Sequence, residues 1–411
     1  MSASRPLFRD ADKQLPDRSF IRPLIVALAA LVILHIRMPE RFTKGFLWAE
    51  DAPIFIGEAY ANGFKSFAIP YAGYLHFIPR TFAYLYSLSA PIKDFPYLFV
   101  WTTAILSALI CAGLYRIASR DMHWAFAALF ALTPVLVPSS GEVWLNLTNI
   151  QWIAAPFLLA LLWDCVAHPG PDIGRPALIA VLSLTGPFSV TFAPVSVFAL
   201  YLLRAEPRRF SSPFFVSLAC VCAQLLMMRI GAPNHPRQHS AAEYLHLPWG
   251  EAFFRYFVID STLREKIANQ LGGSLYLIAI AVFGFFAASP FFMRGRWRAI
   301  IALVLGIALG LWIVGVVRAD DTSQFVRWAG FGGRFTFVPL ILICWTLLCI
   351  MSKSSIRTAR ALAVVLFALV IARGFHNDSA PWMPYSITTQ SDGTVNVLAA
   401  PGGGFQTTVH P

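Results

Sequence analysis

The sequence predicts an all-α fold, a polytopic transmembrane helical bundle of about 10–12 spans with extracytoplasmic loops. Three observations lead there. The 411-residue chain is 57% hydrophobic and only 13% charged, with a positive mean hydropathy, so it carries more apolar surface than a water-soluble core of this length can bury. Runs of about twenty apolar residues, each long enough to cross roughly 30 Å of hydrocarbon, recur from residue 21 to residue 375. The net charge of +11 is gathered in short basic clusters between those runs: Arg5, Arg9, Lys13, Arg18 and Arg22; Arg204, Arg208 and Arg209; Arg294, Arg296 and Arg298; Lys353, Arg357 and Arg360. Such clusters mark cytoplasmic loops, and their scatter leaves no continuous stripe for nucleic acid.

Residues 1–20 form a polar cytoplasmic segment without the apolar core and small-residue cleavage site of a signal peptide, so the first span, about Ile21 to Pro39, reads as a retained anchor. It delivers an external loop at residues 40–75. There Asp51-Ala52-Pro53 is an N-cap signal and Ala61-Asn62-Gly63 a stop, which predicts a short helix lying at the membrane surface. Further spans are expected near residues 77–90, 96–117, 123–138, 150–167, 176–203, 213–231, 273–293, 299–317, 336–352 and 359–374. The run 176–203 is too long for one perpendicular crossing and contains Gly186-Pro187 and Pro194, so it reads as two short helices meeting at an external turn.

That order keeps the basic clusters inside and puts residues 138–150, 232–272, 318–335 and the tail 376–411 outside. A full crossing by 77–90 would place Arg116 and Arg120 outside, against the charge bias, whereas a re-entrant or surface-lying segment would not. The tail, with Trp382, alternation near Thr394 to Leu398 and Pro401-Gly402-Gly403-Gly404, reads as a small hairpin or a loose end. The domain organisation is therefore 1–20, a transmembrane domain 21–375, and the tail 376–411. All six cysteines lie in or at the edge of apolar spans and suggest neither disulfide nor zinc.

The first external loop carries the sharpest chemical signal: Trp48-Ala49-Glu50-Asp51, then Glu58, then Pro70-Tyr71-Ala72-Gly73-Tyr74-Leu75-His76 and Pro79-Arg80. Two adjacent carboxylates beside aromatic rings offer a general base next to a platform on which a sugar ring can stack. The competing reading is that Asp51 only caps the helix and Glu50 is solvated.

These residues resemble the GT-C superfamily, multi-spanning glycosyltransferases that take a sugar from a polyprenyl-phosphate carrier at the external face. The resemblance rests on Trp48 to Glu58, Pro70 to Arg80 and the number of spans; beyond about residue 90 it is one of hydropathy alone. It implies a GT-C-like bundle in which Asp51 is the catalytic base, with Glu50 as alternate or charge partner, and an inverting transfer to an extracytoplasmic glycan, lipid or protein. It also implies a membrane lipid environment, bacterial inner-membrane location and an active site on the periplasmic face. The lipid phosphate leaving group needs fixed cations, for which Arg334, Arg80 and Arg327 are the candidates, with Arg318 also near that face. Arg334 follows Gly330-Phe331-Gly332-Gly333, a turn whose amides could help hold a phosphate. The competing reading is that these arginines anchor helix ends at headgroups.

Sugar and acceptor contacts fall to Tyr71, Tyr74, His76 and Glu58 in the first loop, and to Glu142, Asn146, Asn149 and Trp152 in a second loop that also contains Trp144 and Gln151. Glu142 is that loop's only carboxylate, a departure from many members that leaves a divalent metal unindicated, and no cofactor is implied. His235 and His239 have metal-like spacing, but Pro233 and Pro236 argue against a helix there; with His246 and Glu243 the segment 232–272 reads as a lid. Asp320 and Asp321 read as a solvated loop. Competing functions are a secondary transporter, a surface-polysaccharide polymerase or ligase, and a non-catalytic scaffold.

Overall fold

Helices follow the apolar runs closely in a computed structural model, which describes residues 20–138, 141–170, 173–203, 208–231, 274–318, 334–375, 383–400 and 405–410, with residues 266 and 270. Fourteen α-helices lie among the described residues: α1 (Ile21–Arg37), α2 (Pro39–Lys44), α3 (Gly57–Asn62), α4 (Phe77–Ser89), α5 (Phe95–Ala118), α6 (Trp124–Leu136), α7 (Ile150–Ala167), α8 (Gly174–Ser183), α9 (Phe188–Leu202), α10 (Arg208–Ile230), α11 (Ser274–Ala288), α12 (Arg296–Arg318), α13 (Arg334–Lys353) and α14 (Arg357–Phe375). The long run at 176–203 is broken between α8 and α9 at Gly186-Pro187. Gly186 has φ +103°, and a Cβ there would collide with the side chain of Gln151, so glycine is required at the break.

Among the described residues, six runs are long and apolar enough to cross a membrane by length and composition: Ile92–Ala118, Ile150–Ala167, Ser211–Ile230, Arg296–Gly315, Arg334–Lys353 and Arg357–Phe375. Four shorter apolar helices, Trp124–Leu136, Gly174–Ser183, Phe188–Leu202 and Ile280–Phe292, fall below that length. At 13 residues α4 measures only about 20 Å, the length of a re-entrant or surface-lying segment and not of a full crossing. Lipid is the natural solvent for the outward faces. On α1, Ile21, Leu24, Ile25, Leu28, Val32 and Ile36 form an exposed apolar stripe, while Val26, Ala30 and Leu34 are buried.

The chain divides into two units of interleaved sequence. One comprises residues 1–28, 111–142 and 237–380. At its centre α13 packs against α6, α12 and α14 and is buried nearly all round. Pro134 inside α6 has no N–H to give the Phe130 carbonyl, and Trp345 of α13 supplies the donor instead, its Nε1 bonding Phe130 O at 3.0 Å and Thr133 Oγ1 at 2.8 Å.

The other unit comprises residues 29–110, 143–236 and 381–411. Its buried helix α7 packs against α8, α9 and α10. Gln224 of α10, fully buried, accepts from Leu75 N–H at 2.9 Å and donates to Gly186 O at 2.9 Å and Ser183 O at 3.2 Å, tying the α8–α9 break to the chain entering α4. The tail adds a three-stranded antiparallel sheet, β1 (Ser386–Thr389), β2 (Val395–Leu398) and β3 (Gln406–Val409), in that order. The expected hairpin is present as β1–β2, turned by Asp392-Gly393, whose aspartate accepts from Thr394 N–H at 2.9 Å. The third strand lies beyond residues 401–404, which with Trp382 fall outside the described residues. Beyond β2 the chain pairs with the first loop, Ala400 N–H bonding Leu47 O at 3.0 Å and Ala49 N–H bonding Ala400 O at 2.5 Å.

Candidate functional site

Asp51 sits in a short 3-10 turn, Ala49–Asp51, that precedes a π-turn, Ala52–Ile56, and α3. Asp51 stands at the expected N-cap position ahead of Ala52-Pro53 but makes no side-chain cap bond to that turn. Its carboxyl serves the preceding turn instead: Trp48, in extended conformation, caps Ala49–Asp51, and Asp51, the third residue of that turn, reaches back to accept the Trp48 N–H at 2.7 Å. The expected stop holds at Gly63, φ +52°, whose N–H bonds Ala59 O. The second Asp51 oxygen accepts from Thr148 Oγ1 at 2.7 Å.

The Asp51 carboxyl is 1% exposed, and burial lifts its pKa from 3.8 to about 7 despite the hydrogen bonds from Thr148 and Trp48, with neighbouring Glu50 adding a smaller upward push. A carboxyl so placed changes charge near neutral pH, as a general base requires. Glu50 is half-buried and accepts from Tyr71 Oη at 2.9 Å.

Tyr71 and Tyr74 are brought together by a tight turn in which each N–H bonds the other's carbonyl, at 3.0 and 3.1 Å, with Ala72 at φ +52° and Gly73 at φ +84°. The turn packs both rings on His76, centroids 5.5 and 4.6 Å away, while Phe55 covers His76 from 5.5 Å. His76 is 1% exposed; burial, helped by Arg80, drops its pKa to about 3, so the ring is neutral. Tyr71 backbone lies near enough to favour the charged ring weakly, yet among the described residues neither ring nitrogen closes a hydrogen bond of normal geometry. One turn into α4, Arg80 is equally buried and donates from Nη1 to Glu58 at 2.7 Å.

The second loop meets the first within the same unit. Thr148 reaches Asp51, and Gln151 Nε2 lies 3.4 Å from Tyr74 Oη. Asn146, Asn149 and Trp152 are buried alongside, Trp152 edge-on to Phe188 at 4.9 Å. Arg41 joins them through Nη1, which donates to Trp144 O at 2.6 Å, and its guanidinium lies 3.7 Å over the Phe46 ring. Burial lowers its pKa to about 9, opposed by the charge of Asp51, so it stays protonated at neutral pH.

No family model, curated protein or solved structure matches this chain. What the arrangement can do is therefore read from its chemistry alone: a poised carboxylate, two buried arginines, and an aromatic and amide lining in one unit.

Of the sequence candidates, Asp51, Glu50, Glu58, Tyr71, Tyr74, His76, Arg80, Asn146, Asn149 and Trp152 belong to this unit. Glu142 and Arg334 belong to the other, where Arg334 Nη1 pairs with buried Glu142 at 2.5 Å. Arg327, Asp320, Asp321, the glycine turn before Arg334, and His235, Glu243, His239 and His246 lie outside the described residues; Arg318 ends α12. Among the described residues no group of three His, Cys, Asp or Glu side chains is placed to hold a metal ion.

Sequence reasoning missed Arg41 and Thr148. Arg41 had a signal: Glu40 and Lys44, one helical turn apart, form an exposed ion pair at 2.7 Å, which leaves Arg41 and Phe42 on the buried side of α2. Thr148 had none beyond its place among polar neighbours.

Proposed function

We propose that this chain is an inverting membrane glycosyltransferase of the GT-C kind, moving a sugar from a polyprenyl-phosphate donor to an extracytoplasmic glycan, lipid or protein at the outer face of a bacterial inner membrane. The observation that carries the reading is Asp51: a buried carboxyl held by two fixed donors, titrating near neutrality, among tyrosines, amides and arginines. In this mechanism Asp51 takes the proton from an acceptor hydroxyl as its oxygen attacks the anomeric carbon. The bond from that carbon to the phosphate oxygen breaks on the opposite side, so configuration inverts, and the electron pair leaves on the lipid phosphate. Tyr71 and Tyr74, held by packing on buried His76, give a stacking surface; Asn146, Asn149 and Gln151 offer hydrogen bonds to sugar hydroxyls.

The test is direct. Full-length protein purified in detergent is given a panel of radiolabelled polyprenyl-phosphate pentoses and hexoses with a delipidated envelope-glycan acceptor. Label in the acceptor together with unglycosylated polyprenyl phosphate supports the reading. Donors recovered intact across the panel, or moved across proteoliposomes without cleavage, contradict it, the latter being the signature of a transporter.

A further inference from the structure

Arg41 and Arg80 share a feature that neither helix capping nor packing uses. Each guanidinium spends Nη1 on a protein acceptor, Trp144 O for Arg41 and Glu58 for Arg80, and in each both Nε and Nη2 are buried without a hydrogen-bond partner among the described residues. Nε–H and Nη2–H are the two parallel donors along one edge of the guanidinium, the edge whose spacing matches two oxygens of a single oxoanion. Leaving that edge unsatisfied is costly for any buried polar group, and more so for a cation. Arg41 is the sharper case. It is 2% exposed, it has no ion pair among the described residues, and its through-space partner Asp51 is itself neutralised in part by burial.

We infer that the Nε–Nη2 edge of Arg41 is a phosphate-binding site, the fork receiving two oxygens of a phosphate ester while the Phe46 face and the Trp144 carbonyl hold the guanidinium in place. Phosphate suits the site better than a carboxylate because it keeps further oxygens for other donors and carries more charge to a guanidinium that, unlike Arg80 with Glu58, pairs with no carboxylate among the described residues. Naming the phosphate as that of the sugar donor rests on the transferase reading; the binding site itself does not. It moves the phosphate role from Arg334, paired to Glu142, to a residue beside the proposed base.

The experiment measures binding, not transfer, so it stands or falls separately from the enzymatic reading. Detergent-purified full-length protein is titrated with farnesyl phosphate, with farnesol and farnesoate as chain-matched neutral and carboxylate probes, for wild type and Arg41→Lys. The variant keeps the charge and removes the fork. Wild type should bind farnesyl phosphate at least about tenfold more tightly than either control, and Arg41→Lys should lose about tenfold while its ligand-free melting temperature stays close to wild type. Displacement by millimolar inorganic phosphate supports a site that reads the phosphate alone; resistance to displacement supports one that reads a lipid-borne phosphate. Equal binding of the three probes, or no loss in Arg41→Lys, overturns the proposal. Should the variant fail to fold, hydrogen exchange on wild type decides: farnesyl phosphate and not farnesol should protect peptides covering residues 37–51 and 144–148, and absence of that protection overturns it as well.

Discussion

Thr148 Oγ1 donates a 2.7 Å hydrogen bond to Asp51 Oδ1 across 97 residues of sequence, and through it two loops become one site. The bond favours the ionised carboxylate against the burial that opposes it. Thr148→Val should therefore raise the Asp51 pKa further and move the acid limb of the pH–rate profile upward. It should also cost about 1–3 kcal/mol, because a buried carboxylate oxygen loses its donor. Initial rates from pH 5 to 9 and thermal unfolding in detergent check the two effects.

Asp51 also fixes a pH dependence of stability. Its folded pKa, about 7, lies above its ordinary 3.8, so between those values the folded state binds more protons than the unfolded one. Stability contributed by this group must then fall as pH rises through that window and level off above pH 7. Asp51→Asn should flatten this part of the curve. Unfolding midpoints of the two proteins measured from pH 4 to 8 provide the comparison.

Gln224 is the hub that joins the α8–α9 break to the first loop. Gln224→Leu would leave the Leu75 N–H and the Gly186 and Ser183 carbonyls short of their partner, with an expected loss of about 2–3 kcal/mol. Thermal unfolding of the purified variant in detergent measures this.

Much of the helical framework was legible because it is local. The apolar run at 150–167 coincides with α7, and Gly186-Pro187 announced the break between α8 and α9. Crossing length was less so: hydropathy and charge bias left 77–90 open between a full span and a re-entrant or surface-lying segment, and the 13 residues of α4 fall short of the bilayer. Asp51 stands at the N-cap position ahead of Ala52-Pro53, but its carboxyl turns back to the Trp48 N–H, because a capping box and an N-cap draw on the same residue types three positions apart. What the local pattern could not carry were pairings set by tertiary structure. Arg334 and Glu142 are separated by 192 residues, and nothing near either announces the other. The parallel pairing of Trp48 with Ala400 brings the tail onto the loop that holds Asp51, a connection without a local signature.

That last pairing makes the tail a positioning element. Removing residues 381–411 takes away the sheet, the two backbone bonds between Ala400 and the Leu47–Ala49 stretch, and the bond from Tyr385 Oη to Lys44 O at 2.9 Å. The truncated chain should still insert in membranes, since every one of the six long apolar runs remains, but its transfer rate should fall by at least about a hundredfold. Membrane fractionation and the donor-cleavage assay, run side by side, separate the two effects.

The most direct test compares wild type with Asp51→Asn for release of polyprenyl phosphate from a cognate donor, at matched membrane expression and across pH. Wild type should gain rate with a midpoint near pH 7, and the variant should be slower by about 10²–10⁴ with that limb gone. An Asp51→Asn protein that turns over at the wild-type rate, or a wild-type rate flat from pH 5 to 9, would contradict the assignment of Asp51 as the base.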